Sequence, residues 1–300
     1  MKKLCIVLLG LLFMLCAAGL GEELVSDAEW QIPDLSQADA DTPAQLLILK
    51  VAQEEVGYIE GKNNYTKYGE WFGTPNCQWC AEFLSWCVGQ VDERYGLELL
   101  DTQYPYCDSA RKGAIWFYER GRYVGSNGVY YPNNVKQWWP QTGEYAQVNE
   151  YIPSPGDYMW LYIHSQGYYA VHATIVEGVS RAEDGDISIH VIEGNWPDRV
   201  QRAVYSIADK RIYGFGTPEK IIETELRLYC QCDDVIYLKQ TLKNLGYYTA
   251  KDLSNKYTGK LAQAVKSFQK DHGLKKSSNV NRETWQAIEQ AAAEMQQDSE

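Results

Sequence analysis

The run Asn76-Cys77-Gln78-Trp79-Cys80-Ala81-Glu82-Phe83-Leu84-Ser85-Trp86-Cys87 places a thiol at the head of an apolar helical stripe. Cys80, Phe83, Leu84 and Cys87 fall at i, i+3, i+4 and i+7 and share one face. A thiol becomes a useful nucleophile when ionised, and the unpaired N–H groups and dipole of a helix N-terminus favour the thiolate. It still needs a base. The chain holds four histidines, His164, His172, His190 and His272. His272 lies in a Lys-rich C-terminal stretch and His164 near a Ser-Gln-Gly turn, whereas His172 sits in an alternating segment, Tyr168 to Glu177. There Tyr168, Ala170, His172, Thr174 and Val176 share one face. In the next alternating segment Glu193 shares a face with Ile187, Ile189 and Val191, and His190 points the other way. A hairpin with His172 opposite Glu193 centres its turn on Arg181-Ala182-Glu183-Asp184-Gly185, which is polar and contains glycine. Asn195 is expected on Glu193's side. A carboxylate or amide beside imidazole fixes its tautomer, so the pattern predicts Cys80 as nucleophile, His172 as base and later acid, and Glu193 with Asn195 as orienting groups. An inert core thiol and a satisfied sheet histidine fit the same positions, and pattern by itself balances the two readings.

The elements that must carry these residues read as helices first and strands later. Thr42-Pro43-Ala44-Gln45 offers an N-cap, a proline at the first helical position and a capping-box glutamine, followed by Leu46, Leu47, Leu49, Val51 and Ala52. That predicts a helix ending near Gly57, and a second one starting at Cys80. From about Ile152 the period is two, behind the turn Pro153-Ser154-Pro155-Gly156-Asp157. The order predicts an α+β fold, helices packed on one side of an antiparallel sheet. Tyr123 to Tyr151 shows neither period and reads as a long surface loop. Residues 22–41 are acidic and nonperiodic, an expected linker. Ahead of them, Lys2-Lys3, an apolar run from Leu4 to Leu15 and small residues up to Gly21 have the order of a secretory signal, so residues 1–21 are expected to be removed on export. The apolar run is shorter than the ~20 residues a bilayer needs, which predicts no stable membrane insertion after removal.

The net charge of −12 argues against nucleic acid and anionic membrane as partners. It is unevenly spread: nine lysines between Lys239 and Lys276 face only Asp252 and Asp271. That split suggests two modules, with a boundary near residue 222, although such a run is more often a solvated face than a polymer-binding one. Six cysteines follow the signal: Cys77, Cys80, Cys87, Cys107, Cys230 and Cys232. A four-thiolate zinc site from the Cys77/Cys80 and Cys230/Cys232 pairs is conceivable but poorly spaced, and no metal or cofactor is expected. Cys87 has Cys107 as a disulfide candidate or stays a buried free thiol, and a Cys77–Cys80 disulfide would silence a Cys80 enzyme. A thiol oxidoreductase built on Cys77-x-x-Cys80 lacks the strand–helix unit such a motif normally opens.

The Cys80 segment resembles the nucleophile motif of the CHAP family, the cysteine, histidine-dependent amidohydrolases/peptidases, which shares a papain-like core with the NlpC-type wall peptidases. Further similar motifs follow in order: Gly57-Tyr58 through Asn64-Tyr65-Thr66-Lys67-Tyr68-Gly69, Pro155-Gly156-Asp157, Val171-His172-Ala173-Thr174-Ile175-Val176, Ile192-Glu193-Gly194-Asn195 and Tyr213-Gly214-Phe215-Gly216. The likeness covers residues 42–220. It implies Cys80, His172, Glu193 and Asn195 as the active-site positions and hydrolysis of peptidoglycan amide bonds, by an amidase or an endopeptidase. Val171 and Ala173 stand where that family often has glycine, and the Tyr123–Tyr151 insert is long. Trp79, Trp196 and the Trp138-Trp139 pair are candidate pocket walls, although large aromatics more often pack. Residues 224–292 resemble the three-helix peptidoglycan-binding domain found beside wall hydrolases, on Val235 with Leu238-Lys239-Gln240, Leu245-Gly246-Tyr247, Ala264-Val265 with Phe268-Gln269, Gly273-Leu274 and Thr284-Trp285. The resemblances imply a secreted, cell-wall-associated enzyme whose partner is peptidoglycan. The rival reading is a non-catalytic wall-binding or adhesion protein that keeps the fold.

Overall fold

The computed structural model describes residues 24–125, 136–140, 142–146, 150–163 and 170–297. The signal stretch 1–21, His164 and Tyr168 of the readings above lie outside them. Four helices come first: α1 (Ala44–Glu54), α2 (Lys67–Phe72), α3 (Cys80–Tyr95) and α4 (Ala110–Glu119). The strands follow: β1 (Tyr123–Gly125), β2 (Gln137–Trp138), β3 (Tyr158–Leu161), β4 (His172–Arg181), β5 (Ile187–Glu193), β6 (Gln201–Ser206), β7 (Ile212–Gly216) and β8 (Glu223–Thr224). Three helices close the chain, α5 (Asp234–Asn244), α6 (Gly259–Asp271) and α7 (Arg282–Gln297). Six strands form one antiparallel sheet in the order β1-β7-β3-β4-β5-β6, and β2 pairs with β8 apart from it. The architecture is therefore mixed helix and antiparallel sheet, with a helical C-terminal part.

α3 is the helix on which the sheet body is built. Its Phe83, Leu84, Cys87, Val88 and Val91 are buried, and it packs against α1, α2 and β4. It stops at Gly96, whose φ of +68° is the left-handed conformation that ends a helix cheaply only in glycine. α1 starts at Ala44 without a side-chain cap, because the Thr42 hydroxyl is taken up accepting from the Asp39 N–H at 3.0 Å. Thr42 closes the preceding turn and Gln45 makes no capping box.

Residues 24–41 are not a free linker. Ser26 bridges to Arg181, the Trp30 indole stacks on His190 with ring centroids 4.1 Å apart, and Leu35 is buried. Acidic composition concealed two apolar anchors in an otherwise nonperiodic stretch. The Tyr123–Tyr151 insert is likewise more than a loop. Its start supplies β1 to the sheet edge, its middle supplies β2 to the β8 pair, and Trp138 is buried in the core of the C-terminal helices with Leu226, Val235, Leu238, Phe268 and Trp285.

The β4–β5 hairpin departs from the expected register. Thr174, not His172, is opposite Glu193, and a bulge between Val176 and Gly178 carries the ladder to a turn at Ala182–Asp186. The slip at the His172 end is two residues, an even number, so His172 keeps the same face as Glu193 despite the wrong partner. In the C-terminal helices the lysine run is not wholly a solvated face either. Lys239 is fully buried, its Nζ donating to Asp252 Oδ2 at 3.0 Å and to the Ser254 carbonyl at 2.7 Å.

Candidate active site

Three chain segments converge on one imidazole. Cys80 is the first residue of α3, His172 the first of β4 and Glu193 the last of β5. All three are buried, with Cys80 keeping 6% of its surface exposed. His172 Nε2 lies 3.0 Å from Glu193 Oε2, and the ring is near enough to the Cys80 thiol for each to shift the other's ionisation. With Nε2 committed to the carboxylate, Nδ1 is the nitrogen left for the thiol.

Glu193 is the best-supplied acceptor in the site. Besides His172 it accepts from Gln201 Nε2 at 3.1 Å and from the Tyr205 hydroxyl at 2.9 Å. Burial by itself would raise its carboxyl, but the bonds and charge of His172, with those two donors, hold it below the usual carboxylate range. Gln201 and Tyr205 were missed in the sequence. They stand at alternate positions of β6, with Gln201 directly opposite Glu193, so extending the period-two reading by one strand finds them.

The electrostatics of Cys80 set it apart from the other buried thiols. Burial pushes a thiol up, and Cys87 and Cys107 follow that rule, Cys107 to about 12. Burial pushes Cys80 up as well, yet the hydrogen bond and charge of His172, together with the Ala173 and Ala81 N–H groups, outweigh it and leave the thiol below its ordinary value. The same pairing raises His172 to about 9 against the desolvation that would lower it. Both shifts favour a thiolate–imidazolium pair. Glu82, buried two residues after Cys80, accepts a hydrogen bond from the Thr74 hydroxyl, and burial pushes its carboxyl up.

Asn195 takes a different place from the one expected. The strand ends at Glu193, and Asn195 has φ +69°, so the alternation that would put it on Glu193's side is broken. Its Nδ2 instead donates to Gln78 Oε1 at 2.6 Å, tying the end of β5 to the loop before Cys80. Trp79 is not a pocket wall. It is fully buried, donates through Nε1 to Glu60 Oε2 at 2.7 Å and stacks on Tyr68. Gly194 must be glycine for this packing, since a Cβ there would stand 2.4 Å from the Trp79 ring. Trp196 is the exposed aromatic beside the site, 46% accessible with its ring 5.5 Å from His172. Trp138 belongs to the C-terminal core, and Trp139 bonds Glu150.

The remaining candidates fall outside the cluster. His190 bonds Ser180 at 2.7 Å beneath Trp30, and His272 stacks on Phe268. Ser85 is buried and bonded to the Pro105 and Cys107 carbonyls. The Cys87–Cys107 disulfide is not formed, and all six described cysteines are free. Cys77 is exposed beside α3 while Cys230 and Cys232 are buried among the C-terminal helices, so the four-thiolate set is not assembled. Among the described residues no group of three or more His, Cys, Asp or Glu side chains stands where it would hold a metal ion.

Comparison with curated proteins gives no match. Among solved structures the chain is similar to the crystal structure of Ly7917, at 18% identity over 59% of this chain and 63% of that one, with a TM-score of 0.31. Ly7917 with the hydrolyzing product of MDP is similar at 16% identity, over 63% and 68% of the two chains, also at 0.31. A periplasmic domain of the EpsAB fusion protein of the Vibrio vulnificus type II secretion system is similar at 15% identity, over 52% and 62%, at 0.20. The chain thus spans less than two thirds of the first of these, 63%. No helix among the described residues is long and apolar enough to cross a membrane. Residues 231–288, which hold α5, α6 and the start of α7, match the family model described as "Putative peptidoglycan binding domain". This C-terminal segment is therefore similar to the peptidoglycan-binding domain that the model describes.

Proposed function

We propose that the protein is an exported cysteine hydrolase of peptidoglycan amide bonds, an N-acetylmuramoyl-L-alanine amidase or an endopeptidase, built on a papain-like core of the CHAP type. In this reading residues 1–21 are removed on export, residues 42–220 do the chemistry and residues 224–292 hold the enzyme on the wall. The observation that carries it is the buried chain from Cys80 through His172 to Glu193, in a polypeptide that also bears a peptidoglycan-binding domain.

The chemistry follows from the proton positions. The Cys80 thiolate attacks the amide carbonyl, and the His172 imidazolium gives its proton to the leaving amine, which departs and leaves a thioester on Cys80. His172, now neutral, takes a proton from water, which attacks the thioester and frees the thiolate. Glu193 keeps the imidazole in one tautomer and stabilises its charged form. The first helical bond of α3 runs from the Phe83 N–H to the Trp79 carbonyl. The Cys80 N–H therefore has no intrahelical acceptor and is available to the developing oxyanion.

The test is release of new amino groups from purified peptidoglycan by the protein lacking residues 1–21, with Cys80→Ser alongside under reducing conditions. Release by the parent and its loss, by about a thousandfold or more, in the mutant are expected. Wall binding without release from several wall types would leave a wall-binding or adhesion protein. The pH profile of kcat/KM supplies a second check. The acid limb should mark protonation of Cys80, below the ordinary thiol range, and the alkaline limb should fall as pH rises through about 9, where His172 loses the proton needed by the leaving amine. An alkaline limb near the ordinary histidine value of 6.5 would contradict the pairing.

A further inference from the structure

Cys77 is the one exposed cysteine among the described residues, and the mechanism above does not use it. It lies three residues before Cys80, where its N–H closes a turn onto the Thr74 carbonyl at 3.3 Å. A disulfide needs Cα atoms about 4.4–6.8 Å apart, and three fully extended residues would hold them at roughly 10 Å. The path here is curled, because Trp79 has φ −117° and ψ 10° and the next residue is already helical. The two ends of this short path differ in freedom. Trp79 is buried and anchored through Glu60 and Tyr68, and Cys80 is buried at the start of α3, whereas Asn76, Cys77 and Gln78 are exposed and held through the Asn76 bond to the Asn63 carbonyl, the Cys77 N–H bond to the Thr74 carbonyl and the Asn195 bond to Gln78. Cys77 can therefore approach a stationary Cys80 sulfur by motion of surface residues alone. No other described thiol is so placed. Cys87 is seven residues along the same rigid helix, about 10 Å of rise away, and Cys107 is pinned by Ser85 in the core.

We propose that Cys77 is the resolving thiol of a reversible Cys77–Cys80 disulfide that switches the Cys80 site off. The proposal rests on the reading of Cys80 as the nucleophile. The oxidant is a low-molecular-weight disulfide of the glutathione type. The Cys80 thiolate attacks one of its sulfurs, forming a mixed disulfide and releasing one thiol. The Cys77 thiolate then attacks the Cys80 sulfur, forming the internal bond and expelling the second thiol. Two protein thiols lose two electrons and two protons, and one external disulfide is reduced to two thiols. Reductant reverses both steps. While the bond stands, Cys80 cannot attack a carbonyl, and it is also shielded from oxidation to the sulfinic acid, which is not reversible by thiols.

The test equilibrates the whole protein with reduced and oxidised glutathione at a series of ratios and then traps free thiols by acid and alkylation. Peptide mass spectrometry identifies the state of Cys77 and Cys80, and hydrolysis of peptidoglycan is read in parallel. In the parent, oxidising ratios should remove the mass of two hydrogens from the peptide holding both cysteines. Cys80 alkylation by iodoacetamide should fall about tenfold or more, together with hydrolysis, and dithiothreitol should restore both. Cys77→Ser should instead carry one glutathione on Cys80 and never lose the two hydrogens. Separate glutathione adducts on Cys77 and Cys80 of the parent, or a Cys80 untouched at every ratio, would overturn the proposal. Absence of hydrolysis even in full reductant would sink the proposed function and leave the thiol readout to stand or fall by its own masses.

Discussion

His172→Ala is expected to reduce peptidoglycan hydrolysis by at least about a thousandfold, because in the proposed mechanism it removes the group that ionises the thiol and the acid that protonates the leaving amine. The structure contains its own control for what the thiol becomes. Cys87 and Cys107, buried without an imidazole, are pushed up, and Cys80 without His172 should join them. Each unit of that rise is a tenfold loss of thiolate at neutral pH, so alkylation by iodoacetamide near pH 7 should slow by on the order of a hundredfold. The two readouts together are diagnostic. A merely structural His172 would lower hydrolysis through misfolding, with Cys80 becoming more open to alkylation. Retained circular dichroism, lost hydrolysis and slower alkylation is the combination expected. Unchanged alkylation would show that His172 does not control the thiol.

Trp138→Ala should destabilise the C-terminal helices by about 3–5 kcal/mol, the usual cost of truncating a large buried aromatic. Trp138 enters their core from a strand that precedes β3 by some twenty residues of sequence, and β2 and β8 pair beside it. A helical unit of this size has little stability to spare. The substitution should therefore unfold the C-terminal helices and spare the sheet body. Urea titration should split into two transitions, and pull-down on insoluble peptidoglycan should be lost, with Cys80 alkylation unchanged. A single transition at the parental midpoint would show that the insert only leans on the helices.

The local parts of this structure were legible in the sequence, and the parts that depend on register were not. The α3 stripe and its start at Cys80 follow from spacing within one helix, and the β5 limits follow from strict alternation ended by Gly194. The pairing of His172 with Glu193 was read correctly by face and wrongly by register, because alternation specifies parity but says nothing of a bulge at Glu177. Asn195 was misplaced for a related reason: a left-handed backbone ends the alternation, and asparagine gives only a weak signal of that conformation. Gln201 and Tyr205 were legible but unread. Trp138 and the anchoring of residues 24–41 were not legible at all, since a single buried tryptophan in a nonperiodic stretch has no neighbours to declare its side.

The seat of Trp30 on His190 changes what counts as a transplantable piece of this protein. Ser26, Asp27 and Trp30 bind the same hairpin that ends in His172 and Glu193, with Asp27 bonded to Ser188 at 3.1 Å and Trp30 filling the space a side chain at Gly178 would need. A graft that began at the first helix would carry Cys80, His172 and Glu193 but leave bare the back of the hairpin that holds the last two. The portable unit begins near Ser26.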